Sequence, residues 1–205
     1  MVEAEDIPSE ESTRSKILRT ALELFHQGSF NGTSVNQIVV KAGITKGALF
    51  HYFKGKNELG YAIVDELLRE SVQENWVFPL ATSDDPIGYI TELLRAFEKE
   101  MQETPEMVEC GCPLNNLSQE MSSMDSSFRL RLRDVYQEWE DCLDASLRRG
   151  IEAGKVRKGI DPAAVAKVLI SVFQGSIGMM KVHQTREFSM GLKEGLIQIL
   201  DQLKP

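Results

Sequence analysis

Lys46-Gly47-Ala48-Leu49-Phe50-His51-Tyr52 sets one cation, two residues with almost no side chain and three rings side by side. Those types suit the first turns of a helix laid in the major groove of DNA. Gly47 and Ala48 let the backbone come close, and Lys46 reaches guanine acceptors or a phosphate. Thr45 can cap the helix and touch a phosphate at once, while the helix N-terminus itself favours the anionic backbone. His51 as an ordinary solvated histidine is the alternative for that residue. The other chemically suggestive cluster is Cys110-Gly111-Cys112, just ahead of an expected helix start, where a thiol has a lowered pKa and reacts more readily. Inert thiols are nonetheless the preferred reading of the pair, with a reactive pair as the alternative. No Ser-His-Asp set, phosphate loop or metal-ligand spacing is apparent, so neither a catalytic residue, a metal nor a cofactor is expected. A thiol oxidoreductase is the rival from the enzyme class. Only one residue separates its cysteines, where the common redox motif has two, and no sheet hosts them.

The elements that position these residues read as helices. Ile17, Leu18, Ala21, Leu22 and Phe25 recur at helical spacing and Gly28 closes that segment. After the Asn31-Gly32 turn, Thr33 or Ser34 caps a short helix to about Ala42. Gly43 stops it where a positive φ is needed, and Thr45 opens the next helix, to about Tyr52. A long helix follows, about 57–77. Further helices are expected over about 86–102, 110–121, 126–153, from Pro162, and 187–203, with Thr104-Pro105 as a break. The pattern predicts an all-α protein of about nine helices. Its N-terminal three-helix head carries the helix-turn-helix, and a helical body follows.

Composition fits that division. The chain has 205 residues, 42% of them apolar, and a net charge of -8. Residues 12–56 oppose seven bases to Glu23 alone, a net +6, whereas residues 1–11 are net -5 and residues 57–205 net -9. A basic nucleic-acid module joined to an acidic body is the reading. Three domains are expected: 1–11 a disordered acidic tail, 12–57 the DNA-binding head, 58–205 a body for effector binding and dimerisation. The acidic start lacks an apolar signal segment. The most apolar stretch, 163–182, is interrupted by Lys167 and Gln174. No membrane partner is expected, and three cysteines fit a reducing cytoplasm.

The segment Thr33–Phe53, continuing through Lys56 and Leu59 and preceded by Ile17-Leu18-x-x-Ala21-Leu22-x-Leu24-Phe25, closely resembles the TetR family of transcriptional regulators over roughly residues 13–60. The resemblance implies that Thr33, Ser34, Thr45, Lys46, Gly47, Ala48, Phe50, His51, Tyr52 and Lys56 line the DNA side. Position 50 departs from it: the family usually has Tyr, and Phe50 loses a hydroxyl that could bind phosphate. Cys112-Pro113-Leu114-x-Asn116-Leu117 resembles a block seen in one subgroup, some members of which answer reactive electrophiles. The resemblance therefore implies a homodimeric repressor of a palindromic double-stranded operator. A small-molecule effector would release it, or alternatively a thiol switch at Cys110 and Cys112.

The last two helices look apolar on more than one face. Val168, Val172, Gly175, Gly178, Leu196 and Leu200 are the expected dimer interface, with burial inside one monomer as the alternative. The body is rich in large, soft side chains, among them Trp76, Phe97, Met101, Met107, Tyr136 and Trp139. They suit either a small-molecule pocket or plain core packing.

Overall fold

The computed structural model describes residues 12–103 and 105–205, without the side chains at 98, 100–103, 105–107 and 186. The expected acidic tail and the side chains of Met101 and Met107 lie outside the described residues. Among the described residues every regular element is a helix.

Three helices form the head: α1 (Thr13–Gly28), α2 (Val35–Ala42) and α3 (Lys46–Tyr52). Local hydrogen bonds fix each boundary. Ser12 Oγ accepts from Ser15 N at the start of α1. Ser34 and Gln37 form a reciprocal capping box on α2. Gly43, at φ 63°, ends α2; its N–H reaches Val40 O and the next N–H reaches Val39 O, closing the helix with a left-handed residue that a side chain would strain. Thr45 Oγ1 then accepts from Ala48 N to start α3. Ile17, Leu18, Ala21, Phe25, Ile38 and Leu49 bury their side chains where the three helices meet.

One helical rod, α4, runs over residues 56–81 through two π-helical stretches, Ile63–Leu68 and Gln73–Val77. It passes Pro79, where the sequence suggested a stop. Proline has no N–H for the carbonyl four residues back, Asn75 O. That carbonyl accepts the Tyr89 hydroxyl at 2.6 Å instead. The body continues with α5 (Pro86–Glu103), α6 (Pro105–Cys110), α7 (Pro113–Met121), α8 (Ser126–Glu152), α9 (Pro162–His183) and α10 (Arg186–Asp201). Helix α6 was not expected: Pro105 begins a helix as well as following one. Phe128, Leu132, Val135, Trp139, Leu143 and Leu147 form the buried stripe of α8, the central helix of the body.

Helix α9 is long and apolar enough to cross a membrane by length and composition, with a third of its most apolar window buried. Gln174, which seemed to interrupt that stretch, turns inward and is 7% exposed. On its outward side Val168, Met179 and Val182 are exposed, Val182 at 77%, with Lys167 and Lys181 exposed beside them.

Candidate nucleic-acid interface and the cavity behind it

Helix α3 presents its start and one side to solvent. Thr45, Lys46, Gly47, Phe50, His51 and Tyr52 are exposed and Ala48 half-buried, while Leu49 and Phe53 anchor the opposite side in the core. His51 and Tyr52 meet edge to face, with centroids 5.0 Å apart. Ser34 is exposed although its hydroxyl is used in the cap. Val40, beside the turn, is 80% exposed; the uniform run Ile38-Val39-Val40 gives no sign of it.

Two expected contact residues are placed otherwise. Thr33 is 3% exposed, and its hydroxyl donates to Leu24 O and Ser29 O, so it fastens the end of α1 rather than facing outward. Lys56 donates from Nζ to Phe30 O and Thr33 O, both at 3.0 Å, and lies over the Phe30 ring. The same turn is held from its other side. The Glu120 carboxylate of α7 accepts Phe30 N at 2.8 Å and Asn31 N at 2.7 Å. The turn between α1 and α2 is thus clamped by α4 on its carbonyls and by α7 on its amides. Arg14 grips Glu66 of α4 through both terminal guanidinium nitrogens.

Behind the head lies a cavity of about 460 Å³. Leu68, Val72 and Trp76 of α4 form one wall, and Leu93 and Phe97 of α5 another. Trp139 of α8 and Phe173, Gln174 and Ile177 of α9 line the inner side, and Gly111-Cys112-Pro113-Leu114 closes the side nearest the head. Ser71 and Asn75 supply polar, solvent-exposed edges. Trp76 and Trp139 meet at 4.6 Å, and Phe173 stands edge-on to Trp76 at 4.9 Å. Among the described residues that line it there is no Asp, Glu, Lys, Arg or His. Tyr136, stacked on Trp139, is pushed up to about 12 by burial and stays neutral.

The alternative of a thiol switch is not favoured at Cys112. Cys112 does stand at the N-cap of α7, and the N–H groups of Asn115 and Leu114 favour its thiolate. Burial outweighs them and pushes the Cys112 thiol above its ordinary value, so it is protonated rather than poised. Cys110, Cys112 and Cys142 are all free thiols. Among the described residues no group of His, Cys, Asp and Glu could hold a metal.

Of the expected interface residues, Val168 and Gly175 are exposed, and Val172, Gly178 and Leu196 are half-buried. Leu200, at 2% exposure, is in the monomer core. Ile199 beside it points outward instead, a distinction hidden from sequence because Ile199 and Leu200 are equivalent in its pattern.

A basic helix-turn-helix fronting an all-helical body with an apolar cavity defines a class of DNA-binding regulator. Two family models match: "Bacterial regulatory proteins, tetR family" over residues 17–63 and "Tetracyclin repressor-like, C-terminal domain" over residues 87–190. The chain is 30% identical to the HTH-type transcriptional regulator LmrA of Bacillus subtilis, over 67% of this chain and 72% of that one. A TetR transcriptional regulator from Chloroflexus aurantiacus superposes with a TM-score of 0.79 at 26% identity, covering 93% of this chain and 94% of that one. The SmeT–triclosan complex superposes with a TM-score of 0.73 at 22% identity, covering 94% and 90%. The chain belongs to the TetR family and is a DNA-binding transcriptional regulator.

Proposed function

We propose that the protein is a homodimeric repressor whose two heads leave a palindromic operator when a small molecule fills the cavity. Residues 12–57 act as the DNA-binding unit and 58–205 as the sensing and dimerising body. Ser34, Thr45, Lys46, Gly47, Ala48, Phe50, His51 and Tyr52 face DNA, while Thr33 and Lys56 hold the turn behind them. The site performs no catalysis, and the protein works in the cytoplasm.

The observation that carries this reading is the dual attachment of α7. Its first residues wall the cavity, and its Glu120 holds the turn between α1 and α2. A ligand that pushes on Cys112-Pro113-Leu114 must displace a helix to which the head is bonded. The effector need only bind one head arrangement better than the other to shift the population. Pairing through the exposed side of α9 and α10 gives two half-sites a fixed spacing. SmeT, which shares this fold, is solved as a complex with triclosan, and that supports a small molecule as the kind of effector.

The test is selection of genomic duplexes by the purified protein, followed by anisotropy titration at several salt concentrations. The expected result is a palindromic consensus bound by a dimer with steep salt dependence. Replacing Lys46 by Ala should lower the salt slope by about 0.9, the value of one phosphate contact. Recovery of no preferred duplex overturns the reading.

A further inference from the structure

We infer that the cavity takes an uncharged aromatic molecule carrying a hydrogen-bond donor, a neutral phenol being the simplest example, with that donor received by Gln174 Oε1. The inference rests on the cavity being the effector site, and names the ligand's chemistry.

Charge is decided by the wall. With no ionic side chain among the described lining residues, a carboxylate or ammonium would find no charged partner among them. Desolvating an ion is costly even after relaxation. The attraction of the rings for a cation does not offset that loss. Trp76, Phe97, Trp139 and Phe173 already pair with one another, and a planar aromatic guest extends that cluster through the same offset and edge contacts.

The donor is decided by Gln174. This residue lines the cavity, is 7% exposed, and its Oε1 has no hydrogen-bond partner. Its side chain lies beside Cys112. A buried acceptor without a partner is a standing cost that a ligand donor removes. The Trp139 indole N–H is likewise buried and unpartnered. A hydroxyl suits this wall, since it both donates and accepts.

The chain's two tryptophans, Trp76 and Trp139, both line the cavity, so intrinsic fluorescence reports occupancy directly. The full-length protein is titrated at pH 7 with para-phenylphenol, its methyl ether, biphenyl carboxylate and biphenylyl trimethylammonium. Para-phenylphenol should bind about tenfold more tightly than the methyl ether, which keeps an acceptor but lacks the donor. Both ions should bind at least about a hundredfold more weakly. Gln174→Leu should erase the preference for the phenol over the ether. If that variant does not fold, the wild-type phenol–ether ratio decides alone. An ether that binds as tightly as the phenol overturns the Gln174 anchor. A charged analogue that binds as tightly, or no response to any of the four, overturns the ligand class. A charged compound that releases the selected operator would overturn this inference and leave the repressor reading standing.

Discussion

His26 Nε2, on the last turn of α1, lies 2.6 Å from the carbonyl oxygen of Gly111 in the cavity wall. A carbonyl only accepts, so Nε2 carries the proton and donates. Gly111 sits at φ 75°, and a Cβ there would approach Lys181 Cδ of α9 at 3.3 Å, so the wall packs close to α9 while its oxygen is bonded to the head. His26→Ala should leave DNA binding and cavity binding each measurable and weaken the link between them. The factor by which para-phenylphenol lowers operator affinity should shrink about fivefold, the worth of one hydrogen bond near 1 kcal/mol. An unchanged factor would assign no coupling role to the contact.

Glu120 makes the second attachment, from the far end of α7. Its carboxylate serves two backbone N–H groups of the α1–α2 turn, which are left without that acceptor if it goes. Glu120→Ala should cost about 2–3 kcal/mol of head stability, and Glu120→Gln less, since an amide oxygen still accepts. Hydrogen exchange at Phe30 and Asn31 is the readout. Protection that is equal in wild type and variant would show that the turn is held without α7.

Acid should loosen the junction between head and body. The Tyr61 hydroxyl and the Phe128 and Ser127 N–H groups hold the Asp125 carboxyl below its ordinary range, and the Arg14 hydrogen bond does the same for Glu66. A carboxylate whose pKa is lowered on folding adds stability that is complete above the unfolded value, about 4, and is lost as pH falls through the lower folded value. The Arg14–Glu66 pair is about 40% exposed on each side and adds little, so Asp125 carries most of the effect. The melting temperature should hold from pH 7 to about 5 and decline below about 4, more shallowly in Asp125→Asn. A wild-type melting temperature that stays level through pH 3 would contradict the assignment.

The head was legible in the sequence because its boundaries are local. Ser34, Gly43 and Thr45 act on atoms at most a few residues away, and each sits where the residue type requires. The body was legible only as a set of helices. That α4 continues past Pro79 depends on Tyr89, which belongs to a different helix. Cys112 was correctly placed at a helix start, yet its chemistry is set by burial beside Gln174 of α9, which no local pattern encodes. Thr33 and Lys56 match the family motif while spending their polar atoms on the turn. Motif position alone does not separate a residue that touches DNA from one that holds the residue that does.

The outward side of α9 should hold two chains together. Val168 and Val182 project from it without being buried in the monomer. Val168→Glu with Val182→Glu should change monomer stability by no more than about 0.5 kcal/mol per site, because surface substitutions rarely do more. The same double variant should convert the dimer to monomer by light scattering and abolish specific operator binding. A variant that remains dimeric would move the interface elsewhere.

In the proposed repressor, cavity occupancy and DNA binding are opposed through α7. The most direct measurement is the reciprocal one: operator affinity with and without para-phenylphenol, and para-phenylphenol affinity by tryptophan fluorescence with and without operator. Linkage requires both ratios to be the same, and the contacts of His26 and Glu120 predict a weakening of about 5- to 150-fold in each. Affinities that are unchanged by the other partner in both directions would contradict the account.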